Sequence, residues 1–183
     1  MQIVRVYVPD AHIVWLLGEV VCSFSSTRPG VGLPLGNLTS QLLVNIYMNE
    51  FDQFVKHALK VSYYIRYADD FVILSEDRIL LERHLASIRD FLRQKLKLEL
   101  HPNKVFIRTF SSGIDFLGWV HFPDHRVLRT TTKRRMFRRL KSAADKAETV
   151  QSYVGLMSHG NTEKLLAGVE TLAASFESGK VIV

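Results

Sequence analysis

The chain has 183 residues, of which 47% are hydrophobic, and carries a formal net charge of +6. This composition excludes a disordered chain and suits one large domain, or one and a half ordinary ones, with a buried core. No apolar run is long enough to cross a membrane and no signal peptide is visible, so we expect a cytoplasmic protein with no membrane partner.

The N-terminal segment is predicted to contain a strand and then a helix. Residues 2–8 alternate loosely, which favours a strand. Asp10 precedes apolar residues at helical spacing, from Ile13 to Phe24, and is predicted to cap that helix. The single cysteine, Cys22, lies within this pattern. A chain with one cysteine fits a reducing cytosol, and we expect a buried small hydrophobe rather than a reactive thiol.

Residues 25–36 form a Gly/Pro-rich loop, and a helix is predicted to follow it from about Thr39 to His57. Asn37 or Thr39 would cap this helix. Its apolar face is predicted to carry Leu43, Tyr47, Phe51, Phe54 and Ala58.

Residues 63–74 form two apolar, aromatic-rich segments joined across adjacent carboxylates, which predicts a β-hairpin with Asp69 and Asp70 at its exposed turn. Two neighbouring anions repel each other unless a hard cation neutralises them, and Mg²⁺ bound by one or two carboxylates is a common solution. A plain Asp-Asp β-turn is the alternative.

The remainder of the chain mixes strands and helices before it turns wholly helical. Residues 77–96 have the spacing of an amphipathic helix. Strands are predicted at 98–100, 104–110 and 114–122, and helices at 132–148, 149–158 and 162–177. Gly160 is predicted to end the middle one of these three helices. The order of elements indicates an α/β or α+β body with a helical appendix.

The positive charge is concentrated between Arg129 and Lys141, a run that holds seven cations and no anion. Such a stripe suits a polyphosphate partner, because closely spaced cations repel one another when no anion lies between them. A solvated helix face is the alternative.

Four segments together resemble the reverse transcriptase family. Tyr67-Ala68-Asp69-Asp70 matches its Tyr-x-Asp-Asp box, and residues 32–41, Gly-Leu-Pro-Leu-Gly-Asn-Leu-Thr-Ser-Gln, look like its Gly-rich loop and helix. Residues 98–104 resemble the segment after the palm helix, and residues 114–119 look like the primer-grip hairpin. The boxes follow the family's order over residues 30–177.

The resemblance implies an α+β fold: a polymerase palm, in which helices pack on an antiparallel sheet, over residues 1–128, and an all-helical thumb over 129–183. The implied activity is RNA-directed DNA synthesis, the transfer of a nucleotide to a primer 3′ hydroxyl. In the complete enzyme two Mg²⁺ ions would be held at Asp69 and, secondarily, Asp70. The implied partners are an RNA template, a DNA primer and deoxynucleoside triphosphates.

The resemblance also implies roles for residues outside the acidic turn. Those near the nucleotide or template would be Gly36, Asn37, Ser40, Gln41, Tyr67 and Lys104. The primer grip would use Leu117, Gly118 and Trp119, and the nucleic-acid backbone would meet Arg129, Lys133, Arg134, Arg135, Arg138 and Arg139. Gly36 as an ordinary loop glycine, Gln41 as a polar first-turn residue and Lys104 as a surface lysine are the alternatives. Leu117 and Trp119 could instead be core, and for Phe116 we favour core.

Two departures from the family pattern stand out. Many reverse transcriptases have Gln at the position of Leu35 and Pro at that of Gln41; the form found here looks like bacterial lineages, including group II intron-like and diversity-generating retroelement enzymes. The family's first catalytic aspartate has only Asp10 as a candidate, and the helix-capping context of Asp10 does not match that role. We therefore expect the C-terminal palm and thumb of a longer enzyme, lacking its N-terminal portion and inert alone.

Two other functions stay open at this point. One is a non-catalytic remnant whose basic helices still bind a nucleic-acid duplex. The other, an RNA-dependent RNA polymerase, is less favoured because those enzymes more often carry Gly before the two aspartates. Intron mobility, retroelement diversification and phage defence all use this palm, and the residues do not separate these roles.

Overall fold

The structure, a computed structural model, describes residues 1–23, 38–142 and 146–177 and divides into two compact units, Met1–Ile107 and Arg108–Val183. Helices α1 to α7 span Gln2–Tyr7, Ala11–Cys22, Leu38–Gln53, Arg78–Phe91, Thr130–Ser142, Lys146–Met157 and Glu163–Glu177. Strands β1 to β5 span Tyr63–Tyr67, Asp70–Leu74, Ile114–Phe116, Trp119–His121 and Arg126–Leu128. Helices with small antiparallel sheets agree with the predicted α+β class. The division into palm and thumb at residue 128 stays a prediction.

In the first unit, the β1–β2 hairpin packs against α3 and α4. Phe51 of α3 lies at the centre, fully buried, with its ring centroid 4.9 Å from that of Phe71 and 6.3 Å from that of Phe91. Because side chains alternate along a strand, Tyr64 and Phe71 face this core while Tyr63 faces away from it. The buried core residues are Met48, Phe51, Val55, Val61, Ile88, Leu92 and Leu96.

The predicted hairpin over 63–74 and the amphipathic helix over 77–96 are both confirmed. Asp77 caps α4, its carboxylate accepting from the amides of Ile79 and Leu80 at 2.8 and 3.1 Å. A π-helical turn at Leu92–Leu96 continues α4. Lys97 then adopts a left-handed φ of +52°, and the Leu98 amide donates back to the Leu92 carbonyl at 3.0 Å. The chain therefore closes the helix, and the strand predicted at 98–100 is wrong.

The N-terminal segment is helical, so the strand predicted at residues 2–8 is wrong. Tertiary contacts override the local alternation, since the Tyr7 hydroxyl donates to Glu50 at 3.0 Å and accepts from Asn49 at 3.0 Å. The cap at Asp10 is confirmed, with its carboxylate accepting from the His12 and Ile13 amides at 2.8 and 3.1 Å. Cys22 is exposed, which corrects the expectation that it is buried; no residue of α2 is buried.

Helix α3 begins at Leu38 and continues through a π-helical turn at Phe54–Ala58, close to the predicted span. Thr39 lies inside the helix rather than capping it. The predicted apolar face is confirmed at Leu43 and Phe51, whereas Tyr47 and Ala58 are exposed at the edges of that face. The Gly-rich loop at 25–36 and the alternative cap Asn37 lie outside the described residues.

In the second unit, β3, β4 and β5 form an antiparallel sheet in that order, and α5, α6 and α7 pack against it. Its buried core residues are Trp119, Leu128, Met136, Leu140, Met157 and Val169. The strand predicted at 114–122 is two strands joined by a turn at Leu117-Gly118, and β5 was not predicted. The strand predicted at 104–110 is wrong: within the described part of the chain this stretch is not assigned to a strand, and it ends in a 3₁₀ turn at Phe110–Ser112.

Three helices at the C-terminal end confirm the predicted helical appendix, although α5 begins two residues earlier than expected. Gly160 lies beyond the end of α6 without the left-handed φ that a C-terminal cap uses. A Cβ at this position would clash with the indole ring of Trp119. Close packing against Trp119 therefore explains this glycine, and the predicted cap is corrected.

Candidate functional site

The tip of the first hairpin presents two adjacent carboxylates to solvent. Strands β1 and β2 pair so that Tyr67 faces Asp70, which leaves Ala68 and Asp69 as a two-residue turn. Asp69, Asp70 and Tyr67 are all exposed. Ala68 has a φ of +51°, a left-handed conformation that is uncommon for a residue with a side chain and that often marks functional turns.

Behind this turn, the side chain of Arg66 joins the hairpin to α3. Its Nε and Nη2 donate to the two carboxylate oxygens of Asp52 at 2.7 and 2.6 Å. Its Nη1 donates to the Ala68 carbonyl at 2.7 Å and to the Asn45 side-chain oxygen at 3.1 Å. The Tyr64 hydroxyl also donates to Asp52, at 2.6 Å. We call Asn45, Asp52, Tyr64 and Arg66 the turn-holding network.

The electrostatics of this network favour the charged forms of its ion pair. Partial burial would raise the pKa of the Asp52 carboxyl, but hydrogen bonds from Arg66 and Tyr64 outweigh it, and the pKa is lowered. The pKa of Tyr64 is raised, first by burial and then by its bond to Asp52. The Arg66 side chain is only 10% exposed and that of Asp52 29%, so the pair is largely shielded from water.

Helix α3 brings part of the predicted template-binding set towards the same turn. Gln41 is exposed and lies one helical turn before Asn45, on the same side of α3, about 6 Å along the axis. Ser40 is buried. Gly36 and Asn37 lie outside the described residues. Gln41 and Asn45 thus lie on one side of α3, and Asn45 is linked to the acidic turn through Arg66.

The other predicted unit-one residues lie elsewhere in the chain. Lys104 is exposed on a turn in which its amide donates to the His101 carbonyl at 3.0 Å. Asp10, the sole candidate for a further catalytic carboxylate, uses its carboxylate to cap α2.

Asp69 and Asp70 are the kind of ligands that a hard cation takes, and they supply two of the ligands such an ion needs. Their carboxylates are exposed and form no ion pair among the described residues. Carboxylate oxygens are the ligands that Mg²⁺ prefers, and this ion usually keeps several waters or takes substrate phosphates as its other ligands. In residues 1–23, 38–142 and 146–177 no group of three or more metal-ligating side chains comes together. Two carboxylates alone do not complete a metal site, so a cation at this turn would need further ligands.

In the second unit, the predicted primer-grip residues divide between a surface turn and the core. Leu117 is 46% exposed with a φ of +52°, and Gly118 follows it with a φ of +84°. Trp119 is only 7% exposed and packs in the core, and Arg126 lies over its ring at 5.2 Å. A ligand that reached this hairpin would meet the turn, while Trp119 supports it from below. Phe116 is half-buried.

The same turn lies against the start of the basic helix. The backbone amide of Arg129 donates to the Gly118 carbonyl at 2.9 Å. The guanidinium of Arg129 forms an ion pair with Asp115, its Nε lying 2.7 Å from the carboxylate. Arg129, predicted to contact a nucleic-acid backbone, is therefore already engaged within the unit.

The cations of α5 lie on its solvent side. Met136 and Leu140 are 0% and 1% exposed and fix the inner face of the helix. An exposed face on the opposite side carries Arg134, Arg135, Arg138 and Arg139, and we call it the arginine face. None of these four forms an ion pair within the described ranges. Lys133 is half-buried beside them. The charge is thus available to a polyanion.

Sequence reasoning missed the turn-holding network. One signal was present: alternation along β1 places Arg66 on the same inner face as Tyr64, and a charged residue on a core-facing position needs a partner. The sequence did not predict which residue is the partner, because Asp52 and Arg66 are 14 positions apart and belong to different elements.

Two comparisons relate this chain to known proteins. A family model described as reverse transcriptase (RNA-dependent DNA polymerase) matches residues 15–121, more than half of the chain. Protein YkfC of Escherichia coli (strain K12) is 27% identical to this chain, in an alignment that covers 73% of the chain and 43% of YkfC. The chain thus spans less than half the length of this curated relative. Among the described residues, no helix is both long and apolar enough to cross a membrane.

Proposed function

The chain belongs to the reverse transcriptase (RNA-dependent DNA polymerase) family, and from this premise we propose that it is the catalytic-turn and thumb portion of an RNA-directed DNA polymerase. The observation that carries the proposal is the exposed Asp69-Asp70 pair at a β-hairpin tip, inside the matched segment. The reaction would add a deoxynucleotide to a primer 3′ hydroxyl opposite an RNA template. The relative from Escherichia coli is in keeping with a bacterial lineage of group II intron-like or retroelement enzymes acting in the cytoplasm.

Asp69, and secondarily Asp70, would hold Mg²⁺ together with the triphosphate. A bound Mg²⁺ pair supplies charge neutralisation at the attacking and leaving oxygens of an in-line displacement. The chain's own contribution is to present the two carboxylates at a fixed, solvent-facing tip, so that no reorganisation is needed when the nucleotide arrives. Tyr67 lies beside the turn and Gln41 lies on α3; both are exposed and would contact the template base or the incoming nucleotide.

The second unit would bind the primer and the duplex. Leu117 and Gly118 form an exposed turn on which a primer strand can rest, with Trp119 as its buried support. The arginine face would contact duplex phosphates, which gives affinity but little sequence preference. Lys104 near the departing pyrophosphate and Lys133 near the duplex backbone belong to the same proposal. Arg129, whose guanidinium pairs with Asp115, would add little to duplex binding.

We further propose that this chain alone does not extend a primer. The two carboxylates of the turn supply only part of the ligand set that a two-metal site needs, and the Asp10 carboxylate is used as a helix cap. A further carboxylate, and the surface that holds the template strand, would come from another portion of a longer polymerase.

Primer extension and duplex binding together test the proposal. The chain, an RNA template with an annealed DNA primer, all four deoxynucleoside triphosphates and Mg²⁺ should give duplex binding in fluorescence anisotropy but no extended primer on a gel. Extension that Asp69→Ala abolishes would support the family activity and overturn the proposed inertness. Failure to bind the RNA–DNA duplex at low salt would overturn the proposed function itself.

A second candidate function, non-catalytic duplex binding, is favoured by the arginine face alone. In this case binding would depend on salt, because phosphate contacts release counterions, and would not respond to Mg²⁺ or to Asp69→Ala. If a deoxynucleoside triphosphate with Mg²⁺ tightens duplex binding by the unmodified chain but not by Asp69→Ala, the result favours the polymerase.

A further inference from the structure

Three elements of the first unit meet at one guanidinium. Arg66 extends from the core-facing side of β1, and its guanidinium only donates hydrogen bonds, through N–H groups that lie in one rigid plane. Two donors are fixed by the carboxylate of Asp52, at 2.7 and 2.6 Å, which sets the plane of the group. The third nitrogen, Nη1, donates to the carbonyl of Ala68 at 2.7 Å and to the Asn45 side-chain oxygen at 3.1 Å. The helix is thereby joined to the turn by a single side chain.

The carbonyl that Arg66 binds belongs to the peptide unit that leads into Asp69. A peptide unit is planar, so a donor that fixes the Ala68 oxygen also fixes the plane from which the Asp69 backbone continues. Ala68 holds a left-handed φ of +51°, a conformation that costs free energy for any residue with a Cβ. Such a turn persists only when surrounding contacts determine it, and the hydrogen bond from Arg66 to the Ala68 carbonyl is a contact of this kind.

We propose that Arg66 is a positioning residue for the metal-binding carboxylate, with Asp52 and Asn45 holding its guanidinium in place; this inference rests on the function proposed above. Arg66 does not contact the metal or the nucleotide. It fixes the direction in which Asp69 presents its carboxylate, and Asn45 and Asp52 connect it to α3. Networks of this kind behind metal ligands commonly tune metal affinity.

Positioning and simple electrostatics make opposite predictions for the loss of Arg66. A cation near the turn repels a metal ion, so if charge alone mattered, removal of Arg66 would tighten metal binding. If Arg66 positions the Asp69 turn, its removal loosens the turn and weakens metal binding. The sign of the change in affinity therefore decides between the two.

The experiment measures Mn²⁺ affinity of the full chain by titration with Mn²⁺ alone, followed by water-proton relaxation. Arg66→Gln should weaken binding by about tenfold or more, as for other residues that orient metal ligands. Arg78→Gln is the matched control: it removes the same charge from the same unit, where Arg78 pairs with Glu82 at an exposed site. That control should leave the affinity unchanged. Unchanged or tighter binding in Arg66→Gln would overturn the inference.

Asp69→Asn separates the inference from the function on which it rests. If Asp69→Asn removes Mn²⁺ binding while Arg66→Gln does not weaken it, only the positioning role fails. If Asp69→Asn leaves Mn²⁺ binding intact, the proposed metal site itself fails.

A measurement on the unmodified chain covers the case in which Arg66→Gln does not fold. The backbone ¹⁵N order parameter of Asp69 should equal that of the paired strands, about 0.85, because the network holds the turn. A value below about 0.6, typical of a loose hairpin tip, would overturn the inference.

Discussion

The β1–β2 and β3–β4 hairpins each have an Arg–Asp ion pair beside the turn, yet they differ in which group contacts the turn. In the first unit the Arg66 side chain itself binds the Ala68 carbonyl. In the second unit the backbone amide of Arg129 binds the Gly118 carbonyl, while its side chain pairs with Asp115 beside the turn. A turn that carries exposed carboxylates is thus held by a side chain, and a turn that carries exposed apolar surface is held by the backbone.

Burial separates the two ion pairs further. The side chains of Arg66 and Asp52 are 10% and 29% exposed, against 41% and 36% for Arg129 and Asp115. A shielded pair whose partner is removed leaves an uncompensated charge, whereas an exposed pair is screened by water and contributes little. We therefore expect the first unit to depend on its ion pair and the second to depend on its core.

The largest expected effect is the loss of the core beneath the second turn. Trp119→Ala should lower the free energy of unfolding of the second unit by about 3 to 5 kcal/mol, because a buried aromatic ring is removed. Leu117→Ala, at the exposed tip above it, should cost less than about 1 kcal/mol. Urea denaturation followed by circular dichroism measures both. Similar costs for the two substitutions would contradict the division between exposed tip and buried support.

The second largest effect is expected from loss of the turn-holding network. Arg66→Gln should lower the free energy of unfolding of the first unit by about 2 to 3 kcal/mol, since charge-assisted hydrogen bonds to Asp52 and the Ala68 carbonyl are lost. Chemical denaturation at neutral pH gives this value. A cost no greater than that of Arg78→Gln, at an exposed pair, would show that the turn-holding network does not hold the unit together.

Asp52 of the turn-holding network makes the stability of the first unit sensitive to acid. The pKa of Asp52 is lowered in the folded chain, so its contribution is present above the ordinary carboxyl pKa near 3.8 and is lost as the pH falls through the lowered value. Asp52→Asn should remove this part of the pH dependence. Denaturation curves from pH about 5 to about 2 compare the two proteins, and parallel curves would contradict the assignment.

The smallest effect is expected at the ion pair of Arg129 with Asp115. Arg129→Gln should change the free energy of unfolding by no more than about 1 kcal/mol, because the exposed ion pair is weak and the amide that binds Gly118 is retained. The salt dependence of duplex binding should also be nearly unchanged, whereas Arg138→Gln, on the free arginine face, should reduce it. If Arg129→Gln reduced the salt dependence of duplex binding as much as Arg138→Gln, the Arg129 side chain would bind the duplex, against this prediction.

The sequence predicted those elements whose pattern is local. The α4 helix and the β1–β2 hairpin follow from periodicity and turn chemistry, and the cap at Asp10 follows from the residues beside it. The helix at residues 2–8 was not predicted, because contacts of Tyr7 with α3 override the alternating pattern of these residues. The short strand β5 was missed because three residues carry too little pattern to be read.

For the site, the sequence indicated the residues that face solvent but not those that hold them. Asp69 and Asp70 are adjacent in the chain and belong to a four-residue motif, so both could be named in advance. Asn45, Asp52 and Arg66 meet only after α3 packs on the hairpin. Trp119 was named as a primer-grip residue, but burial, which depends on the packing of α5 to α7, places it below the turn.

The most direct test of the central claim, that the Asp69-Asp70 tip binds a divalent cation, is Mn²⁺-induced line broadening in a ¹H–¹⁵N NMR spectrum of the chain. The amide signals of residues 67–71 should broaden first as Mn²⁺ is added, and Asp69→Asn should abolish this effect. Broadening confined to other residues, or unchanged in Asp69→Asn, would contradict the account.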